Sequence, residues 1–345
     1  MNNGSFETFQ VAAMAVDPVH VGTGGARLGR VDNTIVRDPV TRVPKIPGSS
    51  VAGVLRTYVA MHEEASSTSP RQVRGTPKPY YPDCAGQGKP RRDGGGHCGE
   101  SACKVCTVFG FARGDRGGFA GLASFSDAHV LLFPVATREG PIWITAPGAL
   151  RSVESLRDQG DVAENAIHRK DADTSPLNLG WLLLPVHQLV SIEMITRALE
   201  ALHLPEYIRD HLGVVSDKLF SHVVNSNLEV RTSVAIDPAT GAAEEGALFT
   251  YEALPRSTVV LWDVTCRNPA HFRIGEAALE AVKNVTQVYR VVEAAFPYLE
   301  ALGIGGMGTR GMGRLRVLCP TAADQAKGDT TARDSSAGVA ASEAS

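Results

Sequence analysis

Four cysteines in the first third of the chain have the spacing of a zinc site. Cys84 is followed by Cys98, Cys103 and Cys106, and His97 directly precedes Cys98. Short spacings of this kind favour tetrahedral Zn²⁺ coordination, since disulfides are rare in a reducing compartment. We therefore predict a structural zinc site with Cys98, Cys103 and Cys106 as ligands and Cys84 or His97 as the fourth. In the alternative interpretation, Cys106 is a buried thiol ahead of the apolar stretch TVFGFA.

A second group of reactive side chains surrounds the glycine-rich segment HVGTGGARLGRVD, which contains His20 and Asp32. The sequence has no HExxH motif, no Ser-His-Asp arrangement and no carboxylate cluster suited to two metals. A single Asp can still assist RNA cleavage by orienting a divalent cation or a 2′-hydroxyl. Asp32 is the candidate because it lies beside glycines and arginines. Asp38, which precedes Pro39, is typical of a turn, and His20 fits a structural role equally well.

The segment PKIPGSSVAGVLR predicts a helix N-terminus at Ser49 or Ser50. Unpaired N–H groups and the helix dipole attract anions at such an end, and Lys45 and Arg56 add positive charge. This arrangement can bind an anion. In the alternative, one of the two serines is an ordinary N-cap.

Near the C-terminus, GIGGMGTRGMGR contains six glycines, among them Gly305 and Gly306, together with Arg310 and Arg314. Glycines allow the backbone to approach a phosphate chain closely, and arginines can pair with it. The segment matches neither a Walker loop nor a dinucleotide-binding motif. A tight turn after a helix is the alternative, and the number of glycines favours ligand contact.

These residues are connected by a simple order of predicted elements: strand, helix, strand, strand, helix, strand. This order predicts an α+β fold with a ferredoxin-like, RRM-like core, large insertions and a β-hairpin around the turn PATG. The predicted elements are a strand at Phe9–Val16, a helix that starts near Ser49, strands at Leu122–Phe125 and Val130–Val135, hairpin strands at Leu228–Asp237 and Leu248–Leu254, a helix at Ile274–Leu302 and a strand at Leu315–Leu318.

The net charge of −3 conceals an uneven distribution, because residues 20–118 have 15 Lys and Arg against 8 Asp and Glu. Such asymmetry is expected when one face meets phosphate. No apolar run is long enough to cross a membrane, and the first residues lack a secretion signal. We therefore expect a cytoplasmic protein with no membrane partner.

Several of these motifs together resemble the RAMP (repeat-associated mysterious protein) superfamily. They are HVGTGGARLGRVDNTIVRDP, VPKIPGSSVAGVLR, CKVCTVFG, GLASFSDAHVLLFPV and GIGGMGTRGMGRLRV. The stretch DKLFSHVVNSNLEVRTSVAIDPATGAAEEGALFTYEALP is similar to the backbone subunits of type III-B (Cmr) CRISPR complexes. The resemblance implies one RAMP domain over residues 1–320 with a thumb hairpin at 228–254. Composition predicts a Cys-rich insertion at 65–118, a helical insertion at 151–227 and a disordered tail at 321–345.

The resemblance further implies a filament of identical subunits along the guide RNA (crRNA), joined by other CRISPR effector subunits. The thumb would insert into the guide–target duplex, and target RNA would be cut beside it with Mg²⁺ or Mn²⁺. Asp32 matches the family's essential Asp, and His20, Glu244, Glu245 and Glu252 are possible assistants. Guide contacts would come from Lys45, Ser49, Ser50, Arg56, Gly305, Gly306, Arg310 and Arg314.

Two departures from the family pattern matter. Many relatives have Lys where this chain has Ala52, so one expected contact with the RNA backbone is missing, and Lys45 and Arg56 can compensate for it. The Cys-rich insertion bears on the subtype, because it is fuller than type III-B implies and resembles type III-A (Csm) backbone subunits and single-chain effectors. Two other functions remain open: a scaffold that binds crRNA without cutting, and a metal-free guide-processing ribonuclease. The thumb hairpin and the lack of a convincing histidine pair count against the second.

Overall fold

The computed structural model of the chain describes residues 4–24, 31–68, 71–73, 75–86, 96–112, 118–170 and 175–318. The tail at 321–345 and the side chain of Glu245, both named by the sequence predictions, lie outside the described part. The helices are α1 (Gly48–Ala65), α2 (Lys104–Phe109), α3 (Pro147–Leu150), α4 (Ile192–Ala201), α5 (Glu206–Asp210), α6 (Asp217–Ser226), α7 (Val285–Glu293) and α8 (Phe296–Leu302).

The strands vary from two-residue bridges to an eleven-residue hairpin arm. They are β1 (Phe6–Ala15), β2 (Lys45–Ile46), β3 (Gln72–Val73), β4 (Thr76–Pro77), β5 (Phe111–Ala112), β6 (Gly118–Phe119), β7 (Ala123–Phe125), β8 (Ala128–Thr137), β9 (Gly140–Thr145), β10 (Ile167–Arg169), β11 (Leu177–Leu179), β12 (Leu182–Leu184), β13 (Val186–Gln188), β14 (Leu212–Val214), β15 (Glu229–Ile236), β16 (Ala243–Ala253), β17 (Val259–Arg267), β18 (Arg273–Ile274), β19 (Ala277–Ala278) and β20 (Leu315–Val317).

Ten of the described strands form one mixed sheet in the order β13-β10-β14-β9-β8-β17-β1-β20, with β2 beside β8 and β7 beside β17. The centre is antiparallel, because β1 pairs in that sense with both β17 and β20, and β17 with β8. Parallel pairs occur further out, between β9 and β14 and between β10 and β13. The fold is therefore a mixed α/β arrangement around one large sheet.

Both faces of the central sheet are buried. In β1, Val11 and Ala13 point into one core and Ala12 into the other, as the two-residue period of a strand requires. The first core is completed by α1, α7 and α8 and the second by α4 and α5. Representative helix residues are Leu55, Val292 and Leu299 in the first core and Ile195, Leu199 and Ile208 in the second.

Residues 151–227 contain strands as well as helices. Strands β10, β13 and β14 extend the large sheet beyond β9, while α4 and α5 cover its second face. None of the helices in the described ranges is long and apolar enough to cross a membrane.

The single helix predicted at Ile274–Leu302 is wrong. Ile274 ends the short strand β18, and α7 begins only after Asn284, whose side chain accepts a hydrogen bond from the Gln287 N–H at 2.9 Å. A second break separates α7 from α8, where Pro297 occupies the first turn and lacks an N–H. The apolar spacing is helical across both breaks, so periodicity alone did not reveal them.

The predicted hairpin forms from β15 and β16, which pair antiparallel outside the large sheet. Its second strand begins at Ala243, earlier than the predicted Leu248. Four large apolar side chains of this hairpin are between 42% and 65% exposed: Val230, Val234, Ile236 and Leu248. The hairpin therefore presents an apolar surface that the described part of the chain leaves uncovered.

Candidate functional site

Asp32 lies at the base of the hairpin, where it is bound to Thr250 of β16. Its Oδ2 accepts hydrogen bonds from the Thr250 N–H at 2.7 Å and from the Thr250 hydroxyl at 2.9 Å. These bonds, the backbone one first, lower the pKa of the exposed Asp32 carboxyl below its usual value. Asp32 is therefore an ionised, accessible carboxylate held in a defined orientation.

The segment that follows Asp32 runs beside β16. Asn33 donates its N–H to the Thr250 carbonyl and accepts from the Glu252 N–H, each at 3.0 Å. The carboxylate of Glu252 receives Arg37 Nη2 at 2.8 Å and the Ile35 N–H at 3.3 Å. Glu252, one of the predicted assistants, is thus occupied in holding this segment against the hairpin.

His20 lies under the same hairpin base and is 6% exposed. Its Nδ1 is 2.6 Å from the Glu252 carbonyl oxygen, and its ring meets Tyr251 edge-on at 5.9 Å between centroids. The predicted assistant His20 therefore packs beneath the site. Glu244, another predicted assistant, is exposed in β16.

The glycine-rich loop after α8 packs directly on His20. The Gly306 N–H donates to the His20 carbonyl at 2.9 Å, and Gly305 has a φ of +87° at a point where a Cβ would overlap that carbonyl oxygen. Close backbone packing therefore requires glycine at Gly305, whereas a Cβ at Gly306 would lie 3.4 Å from His20 Cδ2, an ordinary contact.

The two arginines of this loop differ in availability. Arg310 is exposed, and its guanidinium lies 5.6 Å from the centre of the Phe249 ring on β16. Arg314 is paired with Asp17, with Nη2 at 3.0 Å from Oδ1, and this pairing lowers the pKa of Asp17. Arg310 is thus the better-placed cation for a phosphate near the hairpin base.

The N-terminus of α1 is already served by a carboxylate of the protein. Pro47, and neither Ser49 nor Ser50, is the N-cap residue, so the predicted serine cap is wrong. Asp127 Oδ1 accepts the Gly48 N–H at 2.8 Å, and Lys45 Nζ lies 2.7 Å from Asp127 Oδ2. Because the proline has no side-chain oxygen, a distant Asp replaces the local cap. Lys45 is consequently engaged in an ion pair within the chain.

The prediction that Arg56 contacts RNA is contradicted. Arg56 is 7% exposed and donates its Nε to the Cys84 carbonyl at 2.7 Å and its Nη1 to the Gly110 carbonyl, also at 2.7 Å. Its place on the inner face of α1 turns the guanidinium toward backbone carbonyls of the Cys-rich segment. Arg56 therefore ties this segment to α1.

The four predicted cysteines come together in one buried cluster. Cys84, Cys98, Cys103 and Cys106 have their Sγ atoms within 4.8 Å of one another. His97 is not part of the cluster, because its Nε2 lies 3.1 Å from the Gly86 carbonyl. Of the two predicted fourth ligands, Cys84 is the one the fold brings into place.

The dimensions of the cluster suit a metal such as zinc. Sulfurs about 2.3 Å from a tetrahedral Zn²⁺ are separated by about 3.8 Å. The distances here are 3.6 Å between Cys98 and Cys106 and 3.9 Å between Cys84 and Cys103. Hydrogen bonding to Cys103 lowers the pKa of the Cys84 thiol to about 7, and Arg71 Nη2 donates to Cys98 Sγ at 3.0 Å. The guanidinium would offset the negative charge of four thiolates.

Sequence reasoning missed three residues that build these sites: Arg37, Asp127 and Thr250. Asp127 belongs to the motif SDAH, so its position after a strand was visible, but its helix partner is 79 residues away. Thr250 is 218 residues from Asp32. Spacing along the chain carries no signal for contacts of this range.

The family model described as the RAMP superfamily matches residues 13–316. The CRISPR system Cmr endoribonuclease Cmr4 of Pyrococcus furiosus is 24% identical over 270 residues, which is 73% of this chain and 79% of that protein. The CRISPR system Cms endoribonuclease Csm3 of Methanothermobacter thermautotrophicus is 31% identical over 96 residues, 27% of this chain and 29% of that protein.

Solved structures share the fold at low sequence identity. A chain of the type III-B Cmr-beta complex bound to cognate target RNA superposes with a TM-score of 0.56, 16% identity and coverage of 91% of this chain and 99% of that chain. Oligomeric Cmr4 from Pyrococcus furiosus gives a TM-score of 0.54 at 18% identity, covering 91% and 98%.

Proposed function

This chain belongs to the RAMP superfamily, and from that premise we propose that it is a guide-RNA-binding backbone subunit of a type III CRISPR complex that cuts the paired target RNA. The observation that carries the proposal is the exposed, ionised Asp32 fixed at the base of a projecting hairpin. Its partners would be crRNA, target RNA, further copies of itself and other effector subunits, in the cytoplasm.

The central topology supports a ferredoxin-like core for this subunit. Strands β1, β8, β17 and β20 are the first to fourth core strands in chain order, and they lie side by side as β20-β1-β17-β8, all antiparallel. That is the arrangement of a strand–helix–strand unit split by an inserted neighbour. The remaining strands and the Cys-rich segment would be insertions into one RAMP domain.

The hairpin would act as the thumb that enters the guide–target duplex. Its exposed apolar residues, including Val234 and Leu248, suit contact with unstacked bases, because apolar wedges stabilise opened base steps. An opened step frees the sugar–phosphate backbone to reach in-line geometry. Asp32 at the hairpin base is then close to the strand that is opened.

The chemistry at Asp32 would be deprotonation or orientation of the attacking 2′-hydroxyl. Both hydrogen bonds from Thr250 reach Oδ2 of Asp32, so Oδ1 can serve as one ligand of Mg²⁺ or Mn²⁺. Outside the four-cysteine cluster, the described residues contain no group of three metal-binding side chains. The remaining ligands would be RNA phosphate oxygens and water, as is usual for Mg²⁺. Such a cation would neutralise charge on the cleaved phosphate.

Guide contacts would come from the loop beside the hairpin and from the start of α1. Arg310 offers an exposed guanidinium, which lies beside Phe249 and whose Nη1 contacts Met307 Sδ at 3.8 Å, and Ser49 is exposed in the first turn of α1. Because base pairing carries the sequence information, binding should depend on salt and hardly on sequence. Matching over most of the chain to Cmr4 supports type III-B more strongly than type III-A.

The proposed test uses the complex assembled with guide RNA and an end-labelled target, in Mg²⁺ or in EDTA, with wild-type protein and Asp32→Ala. Evenly spaced products that vanish with either change support an endoribonuclease. If cutting is unchanged in Asp32→Ala, the nuclease lies in another subunit and this chain is the non-catalytic crRNA-binding scaffold.

A further inference from the structure

Three hydrogen bonds join Asp32 to Thr250, although the two residues are 218 positions apart. Two reach Asp32 Oδ2, and in the third the Asp32 N–H donates to Thr250 Oγ1 at 3.1 Å. On the basis of the proposed function, we propose that Thr250 is a positioning residue, which orients the Asp32 carboxylate for cleavage and couples it to the hairpin.

The Thr250 hydroxyl takes part in two hydrogen bonds with Asp32, one as acceptor and one as donor. It accepts from the Asp32 N–H and donates to Asp32 Oδ2, so its hydrogen atom points at the carboxylate. Together with the Thr250 N–H, this fixes both side-chain torsions of Asp32 and engages one carboxylate oxygen. Oδ1 is left for the reacting groups, and the carboxylate presents it in a single orientation. Orientation of this kind contributes to rate because displacement by about 1 Å can slow a reaction about 100-fold.

The position of the surrounding backbone does not depend on that hydroxyl. Asn33 pairs with the main chain of Thr250 and Glu252, and Glu252 holds Arg37 and the Ile35 N–H through its carboxylate. Loss of the hydroxyl should therefore leave the segment beside β16. The same contacts mean that the hairpin and Asp32 move together, so a hairpin seated in the duplex sets the place of the carboxylate.

Three variants separate positioning from general damage. Thr250→Val keeps the shape and the backbone N–H but removes both hydroxyl contacts, whereas Thr250→Ser keeps them. Thr34→Val is the matched control on the Asp32 segment, since within the described residues its hydroxyl contacts only Thr23 Oγ1, at 3.5 Å. Each is assembled with guide RNA, and target affinity and the single-turnover cleavage rate are measured from pH 4.5 to 8. The pKa of Asp32 is read in the isolated chain by carboxyl ¹³C NMR, assigned with Asp32→Asn.

We expect Thr250→Val to cut about tenfold more slowly with unchanged target affinity. Loss of a hydrogen bond to the carboxylate should also raise the pKa of Asp32, so the acid limb of the rate profile moves to higher pH. Thr250→Ser and Thr34→Val should behave as wild type. The inference is overturned if Thr250→Val matches wild type in rate and pKa, or if Thr34→Val is equally slow. A wild-type complex that never cuts refutes the proposed function instead, while the NMR comparison still decides whether Thr250 controls Asp32.

Discussion

Replacement of Gly305 by alanine should destabilise the protein more than the same change at Gly308 or Gly311 of its loop. Gly305 has a φ of +87°, and an added Cβ would overlap the His20 carbonyl oxygen and lie 3.1 Å from Val21 Cγ2. The overlapping atom belongs to the backbone, so a rotamer change cannot relieve it. The loop must instead move away from His20.

Two contributions add up to the loss of stability in Gly305→Ala, and other glycines of the loop allow them to be measured separately. A non-glycine residue at positive φ costs about 1–2 kcal/mol. Displacement of the loop would also break the bond between the Gly306 N–H and the His20 carbonyl, which contributes about 1 kcal/mol more. Gly305→Ala should therefore lower the free energy of unfolding by about 2–3 kcal/mol.

Two other glycines provide the controls. Gly311 has a φ of +74° with nothing within 4 Å of a Cβ, so Gly311→Ala should show only the backbone cost. Gly308 has neither constraint, and Gly308→Ala should stay within about 0.5 kcal/mol of wild type. Urea unfolding should show the largest loss of stability for Gly305→Ala, a smaller loss for Gly311→Ala, and almost none for Gly308→Ala relative to wild type. Equal stability of Gly305→Ala and Gly311→Ala would refute the contact with His20.

Three further predictions concern the metal, acid stability and RNA. Purified wild-type protein should contain about one zinc per chain by atomic emission. Cys103→Ala should lose this zinc, whereas Cys266→Ala should keep it, because Cys266 is a buried cysteine outside the cluster. Zinc-free wild-type protein would contradict the prediction. The pKa of Asp127 is lowered mainly by its hydrogen bond with Lys45, so the pair stabilises the fold above about pH 4 and this contribution is lost as the pH falls through the lower, folded-state pKa. Urea unfolding of Asp127→Asn should then show a weaker decline on the acid side than wild type, and parallel declines would disprove the assignment. Arg310→Gln should weaken guide-RNA binding and reduce the slope of log affinity against log salt by about 0.7, whereas an unchanged slope would place Arg310 off the RNA.

Local patterns predicted local structure well. The helix after Pro47 was visible because Val51, Leu55 and Tyr58 recur at helical spacing, and all three are buried in α1. The cysteine cluster could also be predicted from local sequence, because three of its four members lie within nine residues. Apolar spacing failed at Ile274–Leu302, where hydrogen-bonding caps and a proline decided the boundaries instead.

Long-range contacts decided what the sequence could not show. Arg56 follows the glycines and serines at the start of a helix, so the sequence predicted a phosphate ligand, but in the fold its guanidinium donates to backbone carbonyls of Cys84 and Gly110. Asp32 was a candidate from its glycine and arginine neighbours, and the resemblance of its motif to a family singled it out as the essential residue. Its partner Thr250 became visible only when the hairpin closed against the first loop.

The most direct measurement is single-turnover target cleavage by the assembled complex with Asp32→Asn in place of wild type. Asparagine keeps the size of the side chain and an oxygen for Thr250, but removes the charge. With target binding equal for both proteins, we expect cleavage to fall about 100-fold or more, as for loss of a general base. Cleavage at the wild-type rate by a fully bound Asp32→Asn complex would contradict the proposed active site.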